Sequence, residues 1–141
     1  MLKKIIASVI AFGILLMAGV SFAQYPEHLK GKENYVFCYG HRGVGWYVDV
    51  DSLNVELYNP PYYAIAINVA TVQDADKGNT DFQDLKTKHF YYEWDVKKIY
   101  LRYPNSMKLL NPQGVNNQNN FNLKIGEKTF ELAYRIPFNA H

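Results

Sequence analysis

Residues 62–73, which read YYAIAINVATVQ, carry the strongest strand signal in the chain and decide the fold. Alternation of side chains with a period of two is typical of a β-strand. One face of this strand carries the larger side chains of Tyr63, Ile65, Ile67, Val69 and Thr71. The other face carries Ala64, Ala66 and Ala70, and these small residues predict that something packs closely there, most simply a helix.

Further segments with the same period lie on both sides of this strand. We predict strands over residues 35–39, 46–50, 53–58, 88–94 and 98–103. The glycine-rich residues 40–45 are predicted to form a turn or a short mobile loop. Pro60 and Pro61 must separate two strands, because proline cannot donate a hydrogen bond to a sheet. Residues 95–97 are a tight connection, so the last two strands form a hairpin.

The period changes near the end of the chain. Residues 104–120 are polar and irregular, and the asparagine run at 116–120 is predicted to be a solvated loop that caps a helix. Apolar residues then recur at helical spacing, at Phe121, Ile125, Leu132 and Ile136. We predict one amphipathic helix that ends at Pro137, although Gly126 weakens it by about 1 kcal/mol relative to alanine.

Together these elements predict a single small α+β domain. Its curved antiparallel sheet has five or six strands, and the C-terminal helix packs on one face. Parallel α/β architecture is disfavoured, because no helical crossovers separate the predicted strands.

The first 23 residues have the pattern of a cleaved signal peptide. Lys3 and Lys4 precede an apolar run at residues 5–20, and Ser21 and Ala23 are the small residues that signal peptidase accepts. The run is shorter than the roughly 20 residues of a transmembrane helix. We therefore expect an exported bacterial protein of the periplasm or cell surface, with no integral membrane segment after cleavage. A flexible arm at 24–34 then leads into a single domain at 35–141.

The composition of the mature chain excludes some partners. Without Lys3 and Lys4 the chain has 13 basic and 13 acidic residues, so it is formally neutral. A general nucleic-acid-binding protein would have a net basic surface, and we therefore expect no nucleic-acid partner. The one cysteine, Cys38, cannot form an internal disulfide and is predicted to be a buried small hydrophobic residue. An intermolecular disulfide or a reactive thiol at Cys38 is the alternative.

No set of residues in the sequence predicts catalysis, so we expect no enzyme activity and no cofactor. A nucleophilic thiol would require Cys38 to meet His41 or His89, and nothing in the local sequence indicates this. Asp49 and Asp51 are predicted to share a strand face, and glycosidase chemistry needs two carboxylates that flank one bond. Carboxylates on the solvated face of a strand are nevertheless ordinary.

The strongest candidate for a metal site is the loop that contains Asp74, Asp76 and Asp81. Oxygen ligands at alternating positions around a glycine are typical of calcium loops. The helix-loop-helix calcium pattern fails here, because position 6 is Asn79 and position 12 is Leu85. We therefore predict a solvated acidic loop and no metal.

The candidate ligand-binding residues are basic and aromatic. They lie on the predicted hairpin and just before it: Lys86, Lys88, Lys98, Tyr100 and Arg102. A sheet face of this kind can bind an acidic polysaccharide or a protein by combining charge attraction with flat apolar contact. The alternative is a solvated strand face whose charges are balanced by Glu93 and Asp95.

Residues 46–53, which read WYVDVDSL, resemble the start of the surface-adhesin protein E family. The order of the strands that follow extends the resemblance to about residues 46–103. The resemblance implies an exported antiparallel sheet with an accompanying helix, and binding to host matrix or plasma proteins. We therefore expect an adhesin-like, non-enzymatic domain that binds a protein or glycan through a sheet face. The alternative is a periplasmic accessory or inhibitor protein that acts on an envelope enzyme.

Overall fold

A computed structural model describes residues 24–112 and 117–141, with the backbone alone for residues 117–120. The predicted signal peptide, residues 1–23, lies outside the described residues. The strands are β1 (His28–Leu29), β2 (Lys32–His41), β3 (Val44–Asp49), β4 (Asn54–Asn59), β5 (Tyr62–Val72), β6 (Asp84–Glu93), β7 (Lys98–Tyr103) and β8 (Ser106–Leu109). Helix α1 spans Asn117–Tyr134, and short 3-10 helices lie at Val50–Ser52 and Ala75–Lys77.

The strand predicted from residues 62–73 is β5, and the sheet is built around it. On one side, β5 pairs with β6 along ten positions, from Tyr62 opposite Glu93 to Thr71 opposite Asp84. On the other side it pairs with two strands in turn, with β4 along its first half and with β3 along its second half. Every pairing is antiparallel, so the predicted α+β fold with an antiparallel sheet is confirmed.

Ser52 joins β3 and β4 where they meet beside β5. Its hydroxyl donates to the carbonyl oxygen of Asp49 at 2.7 Å and accepts from the backbone N–H of Asn68 at 2.9 Å. The Asp49 carboxylate accepts from the backbone N–H of Asp51 at 3.0 Å and from the side chain of Asn34 at 2.8 Å. These bonds satisfy backbone groups that the interrupted ladder leaves without strand partners.

Over the described residues the sheet has eight strands rather than five or six, because two segments predicted to be irregular also pair. Strand β8 lies within residues 104–120 and pairs with β7. The predicted flexible arm contains β1 and the start of β2, and its Leu29 is fully buried. In the same segment Tyr25 stacks on Phe37 with ring centroids 5.2 Å apart. Residues 24–34 are therefore packed against the sheet.

The predicted helix is present and begins earlier than expected. Residues 117–120, which belong to the asparagine run, are helical rather than a capping loop, and α1 ends at Tyr134, before Pro137. Its Phe121 stacks on Trp46 of β3 at a centroid distance of 4.8 Å. This contact packs Phe121, near the N-terminal end of α1, against the sheet.

The helix packs on the opposite face of β5 from the one that we predicted. Ile65, Ile67 and Val69 form one core with Ile125 and Phe130 of α1. The alanines lie on the other face, where larger side chains of neighbouring strands cover them. Ala64, for example, is fully buried and stands opposite Tyr91 in the register. Small residues here indicate crowding by adjacent strands, not a helix.

A glycine allows the helix to approach the sheet closely. A Cβ atom at Gly126 would lie 3.0 Å from Phe90 and 3.1 Å from Ile99, both of which are fully buried. The carbonyl oxygen of Gly126 also accepts a 2.6 Å hydrogen bond from the Tyr92 hydroxyl. Gly126 thus lowers the helix propensity but permits this contact.

A second, smaller core covers one end of the face opposite α1. Strand alternation places Tyr47 and Val72 on that face, where they form a cluster with Leu29 and Ala75. The cluster lies at the β1–β3 end of the sheet, so β4 and β6 to β8 extend beyond it. Among the described residues, no helix has the length and apolar character needed to cross a membrane.

Candidate functional site

The candidate site is the face of β4 to β8 that points away from α1, which we call the open face. Strand alternation, register and the contact between Glu56 and His89 assign its members. They are Glu56, Leu57, Tyr62, Leu85, His89, Tyr91, Glu93, Lys98, Tyr100, Arg102, Met107 and Leu109. Within the part of the chain that the structure describes, no helix or strand is packed over this region.

Three tyrosines form a row across the middle of the open face. The rings of Tyr62 and Tyr91 are stacked with centroids 6.2 Å apart, and those of Tyr91 and Tyr100 meet edge to face at 6.1 Å. Partial burial and the nearby Glu93 carboxylate raise the pKa of both Tyr91 and Tyr100. The row therefore presents neutral phenol groups that combine apolar ring surface with hydroxyls.

Exposed aliphatic side chains flank the tyrosine row. Leu57 of β4 is on one side of it, and Met107 and Leu109 of β8 are on the other, with Met107 52% exposed. Leu109 stands opposite Tyr100 in the register, so apolar surface continues from one strand to the next. Adjoining exposed apolar side chains of this kind are typical of interaction surfaces.

A groove lies in the open face beside Arg102. It has a volume of about 310 Å³ and is lined by Glu56, His89, Arg102, Tyr103 and Pro104. Nδ1 of His89 lies 2.9 Å from Oε1 of Glu56, so these two side chains are paired with each other. Over residues 24–112 and 117–141, the guanidinium of Arg102 takes part in no ion pair.

The structure divides the predicted binding residues between the two faces. Tyr100 and Arg102 lie on the open face, and so does Lys98 by its register, although its ammonium donates to the backbone oxygen of His141. Lys86 and Lys88 instead stand opposite Val69 and Ile67, on the side of the helix. These five residues therefore cannot form one contact surface.

The two lysines on the helix side have partners there. The ammonium of Lys88 lies 5.4 Å from the ring centroid of Phe121 in α1, and burial, followed by the charge of Lys86, lowers the pKa of Lys88. The Lys86 ammonium is 3.7 Å from the Asp84 carboxylate. Both contacts are ordinary for side chains at the margin of a helix on a sheet.

Sequence reasoning missed most of the apolar part of the open face. Tyr62, Tyr91, Leu57, Met107 and Leu109 were not among the predicted contacts. Tyr91 could have been predicted, because Phe90 and Tyr92 on either side of it are buried under the helix. Successive residues of a strand point to opposite faces, so Tyr91 points away from the helix. Met107 and Leu109 could not, because β8 was predicted to be irregular.

The acidic loop does not assemble a recognisable metal site. No group of three or more His, Cys, Asp or Glu side chains is placed to hold a metal ion in the described part of the chain. Asp74 lies 3.9 Å from the ammonium of Lys77, and one carboxylate oxygen of Asp76 is buried without a hydrogen-bond partner. Asp74, Asp76 and Asp81 thus remain candidates from sequence alone.

Asp49 and Cys38, which were considered for catalysis, take part in contacts that stabilise the fold. Asp49 accepts hydrogen bonds at the junction between β3 and β4. Cys38 packs against the core on the helix side of the sheet, and its thiol donates to the carbonyl oxygen of Val36. His89, which was considered as a partner of Cys38, is paired with Glu56 on the other face.

We expect Cys38 to be unreactive in the folded protein. Burial raises the pKa of its thiol to about 12, against smaller lowering effects of Lys128 and the backbone of Val48. The thiolate is the reactive form, so at about pH 8 its fraction should be roughly a thousandfold below that of the unfolded chain. Iodoacetamide should therefore modify the folded chain far more slowly than the chain in concentrated guanidinium. The folded rate should rise about tenfold per pH unit while the fold persists, and similar rates in both states would contradict this assignment.

Comparison of the chain with models of known protein families, with characterised proteins and with solved structures gives no match. The resemblance of residues 46–103 to the surface-adhesin protein E family therefore stays a prediction. The open face, with its tyrosine row and its groove, is the surface from which we infer the function.

Proposed function

We propose that the protein is an exported, non-enzymatic binding domain, adhesin-like in its action, that engages a protein or a glycan through the open face. The observation that carries the proposal is the row of Tyr62, Tyr91 and Tyr100, flanked by exposed aliphatic side chains. These residues are left outside a core that α1 completes on the other face.

The composition of the open face supports binding. Tyrosine, methionine and arginine are enriched in binding interfaces, and tyrosine and arginine dominate the residues whose loss weakens binding most. Tyrosine has few rotatable bonds, so burying it in a complex costs little conformational entropy. On the open face these side chains project from neighbouring strands of one sheet, which holds them in fixed positions relative to one another.

The position of the face along the chain also supports an adhesin-like function. The segment that resembles the surface-adhesin protein E family, residues 46–103, includes β4 to β7, which carry most of the open face. The predicted signal peptide would deliver this face outside the cytoplasm. After export, the exposed side chains of this face would be available to a partner outside the cytoplasm.

A double substitution on the open face should weaken capture of the partner. We expect Tyr91→Ser with Tyr100→Ser to reduce binding at least about tenfold, because each removes ring area from the centre of the face. The measurement is binding of the labelled mature chain to immobilised matrix proteins, glycans and envelope enzymes of the producing cell. Tyr58→Ser is the matched control, because Tyr58 is 67% exposed but contacts Tyr134 on the helix side.

The same panel separates the two forms of the proposal. Capture by matrix proteins or glycans supports the adhesin-like function, whereas capture by an envelope enzyme supports the accessory or inhibitor function. Equal capture by the double variant and the Tyr58→Ser control would place the binding surface elsewhere. That result would overturn the proposal in both forms, provided that all variants have the same thermal midpoint.

A further inference from the structure

We propose that the groove beside Arg102 binds the carboxylate of an acidic sugar, such as a uronic acid residue within a glycan. This inference rests on the proposed function, since the groove is part of the open face. It names the chemical class of the ligand and the side chain that recognises it. The charge of Arg102, the shape of the groove and the polar groups that line it support this assignment.

The guanidinium of Arg102 is available for a ligand. Its partners across the strands are His89 of β6 and Met107 of β8, neither of which carries a carboxylate. The acidic side chain that lines the groove, Glu56, is already paired with His89. Arginine presents planar donors that match the two oxygens of a carboxylate, so the groove offers an unused site of that geometry.

The dimensions of the groove favour a sugar over a protein surface. Its volume of about 310 Å³ is at the lower end of the range of small-molecule sites. Pro104, in the turn after β7, lines the groove together with Tyr103 and offers apolar ring surface against which the C–H face of a pyranose can lie. A protein could cover the whole open face, but only a protruding group enters a groove of this size.

The polar lining of the groove favours a ligand that carries hydroxyls as well as a carboxylate. Oε1 of Glu56 is taken by His89, which leaves the second oxygen of Glu56 to accept from a sugar hydroxyl. The carboxylate of an acidic peptide side chain can also reach Arg102, but it brings no neighbouring hydroxyl to donate to Glu56. The groove thus combines one cationic donor with one anionic acceptor, as a uronic acid with neighbouring hydroxyls requires.

The attraction is local rather than a property of the whole protein. The predicted mature chain is formally neutral, so long-range steering of an acidic glycan is weak. Binding would therefore depend on Arg102 itself and should weaken as salt is added, because exposed charges are screened. A single substitution at this position is consequently a sharp test.

The test is an NMR titration of the mature chain with a tetrasaccharide of alternating glucuronate and N-acetylglucosamine. The reference ligand is the same tetrasaccharide with its carboxylates reduced to alcohols. We expect shifts of backbone amides at Glu56, His89 and Arg102 with the acidic ligand, and none with the reduced one. Arg102→Gln should weaken binding by about 10- to 100-fold, the range expected for loss of a charge-assisted hydrogen bond.

Lys108→Gln is the matched control for the loss of one positive charge. Lys108 is exposed on the neighbouring strand β8 and stands opposite Leu101, on the other face of the sheet. The Lys108→Gln variant should bind the tetrasaccharide with the same affinity as the unsubstituted chain. Arg102→Lys keeps the charge but loses the planar donors, and should give an intermediate affinity.

Three results would overturn the acidic-sugar assignment. They are equal binding of the reduced tetrasaccharide, unchanged affinity of Arg102→Gln, and shifts at the groove with a glutamate-rich peptide but not with the sugar. The proposed function is tested separately, by capture through Tyr91 and Tyr100. If that capture is lost in the tyrosine variant while the tetrasaccharide fails to bind, the sugar assignment fails and the proposed function stands.

Discussion

Substitution of Phe130 by alanine should lower the free energy of unfolding by about 4 kcal/mol, the largest loss that we expect from a single change. Phe130 is 2% exposed and is the centre of an aromatic cluster. Its ring lies 4.9 to 5.5 Å from the ring centroids of Tyr63, Tyr92, Trp94, Tyr134 and Phe138. Truncation leaves a cavity that these rigid rings cannot fill without moving away from each other.

Urea unfolding followed by tryptophan fluorescence measures this loss directly, because the Trp94 ring stacks on Phe130. Leu85→Ala is the matched control. Leu85 is 48% exposed on β6, so its truncation should cost no more than about 0.5 kcal/mol. A loss below about 1 kcal/mol for Phe130→Ala would show that the cluster does not anchor α1 to the sheet.

Gly126→Leu should destabilise the domain by about 3 kcal/mol. Leucine has the higher helix propensity, so an exposed helical site would gain about 1 kcal/mol. Here even a Cβ atom would lie 3.0 Å from Phe90, and the rest of the leucine side chain has no space between α1 and the sheet. The helix must move outward, which also breaks the hydrogen bond from the Tyr92 hydroxyl.

Lys124→Leu is the control for this prediction, since Lys124 lies on the same helix and its side chain is 57% exposed. Both variants place a leucine in α1, but only one places it against the sheet. We expect Lys124→Leu to be neutral within about 0.5 kcal/mol in urea unfolding. A stabilised Gly126→Leu variant would mean that propensity outweighs packing at this position.

Much of the fold was predictable because β5 has an unambiguous period. Its alternation and the two prolines before it predicted a strand and its boundary. The tight connection predicted at residues 95–97 indicated the hairpin of β6 and β7, which residues 94–97 connect in the structure. Strands β1 and β8 were not predictable in the same way. They have two and four residues, and β8 is exposed throughout, so their pairing depends on a neighbouring strand rather than on their own sequence.

The position of the helix could not be predicted from the alanines of β5. Small side chains indicate a close neighbour, but that neighbour can be either a helix or a bulky residue on an adjacent strand. At Ala64 that neighbour is Tyr91, directly opposite in the register. Only the register of β5 and β6, which involves residues far apart in the chain, distinguishes the two possibilities.

The sequence predicted part of the candidate site. The rest could be predicted only by following the alternation of side chains along each strand and comparing neighbouring strands. The hairpin predicted that Lys98, Tyr100 and Arg102 share a face, which the register of β6 and β7 confirms. Lys86 and Lys88 share their alternation with Phe90, which is fully buried under the helix. Counting residues in steps of two along β6 would have separated these lysines from Arg102, whereas closeness in sequence alone did not.

The junction at Ser52 has a consequence for aggregation. An open sheet usually ends in two edge strands, but β3 and β4 share one side of β5, so the described sheet has a third edge at β4. Unpaired backbone groups on an edge can template strand addition by another chain. The bulge between Val55 and Leu57 disrupts the regular ladder there, and Glu56 adds a charge within it. Both features oppose the addition of a further strand at the branch in the sheet.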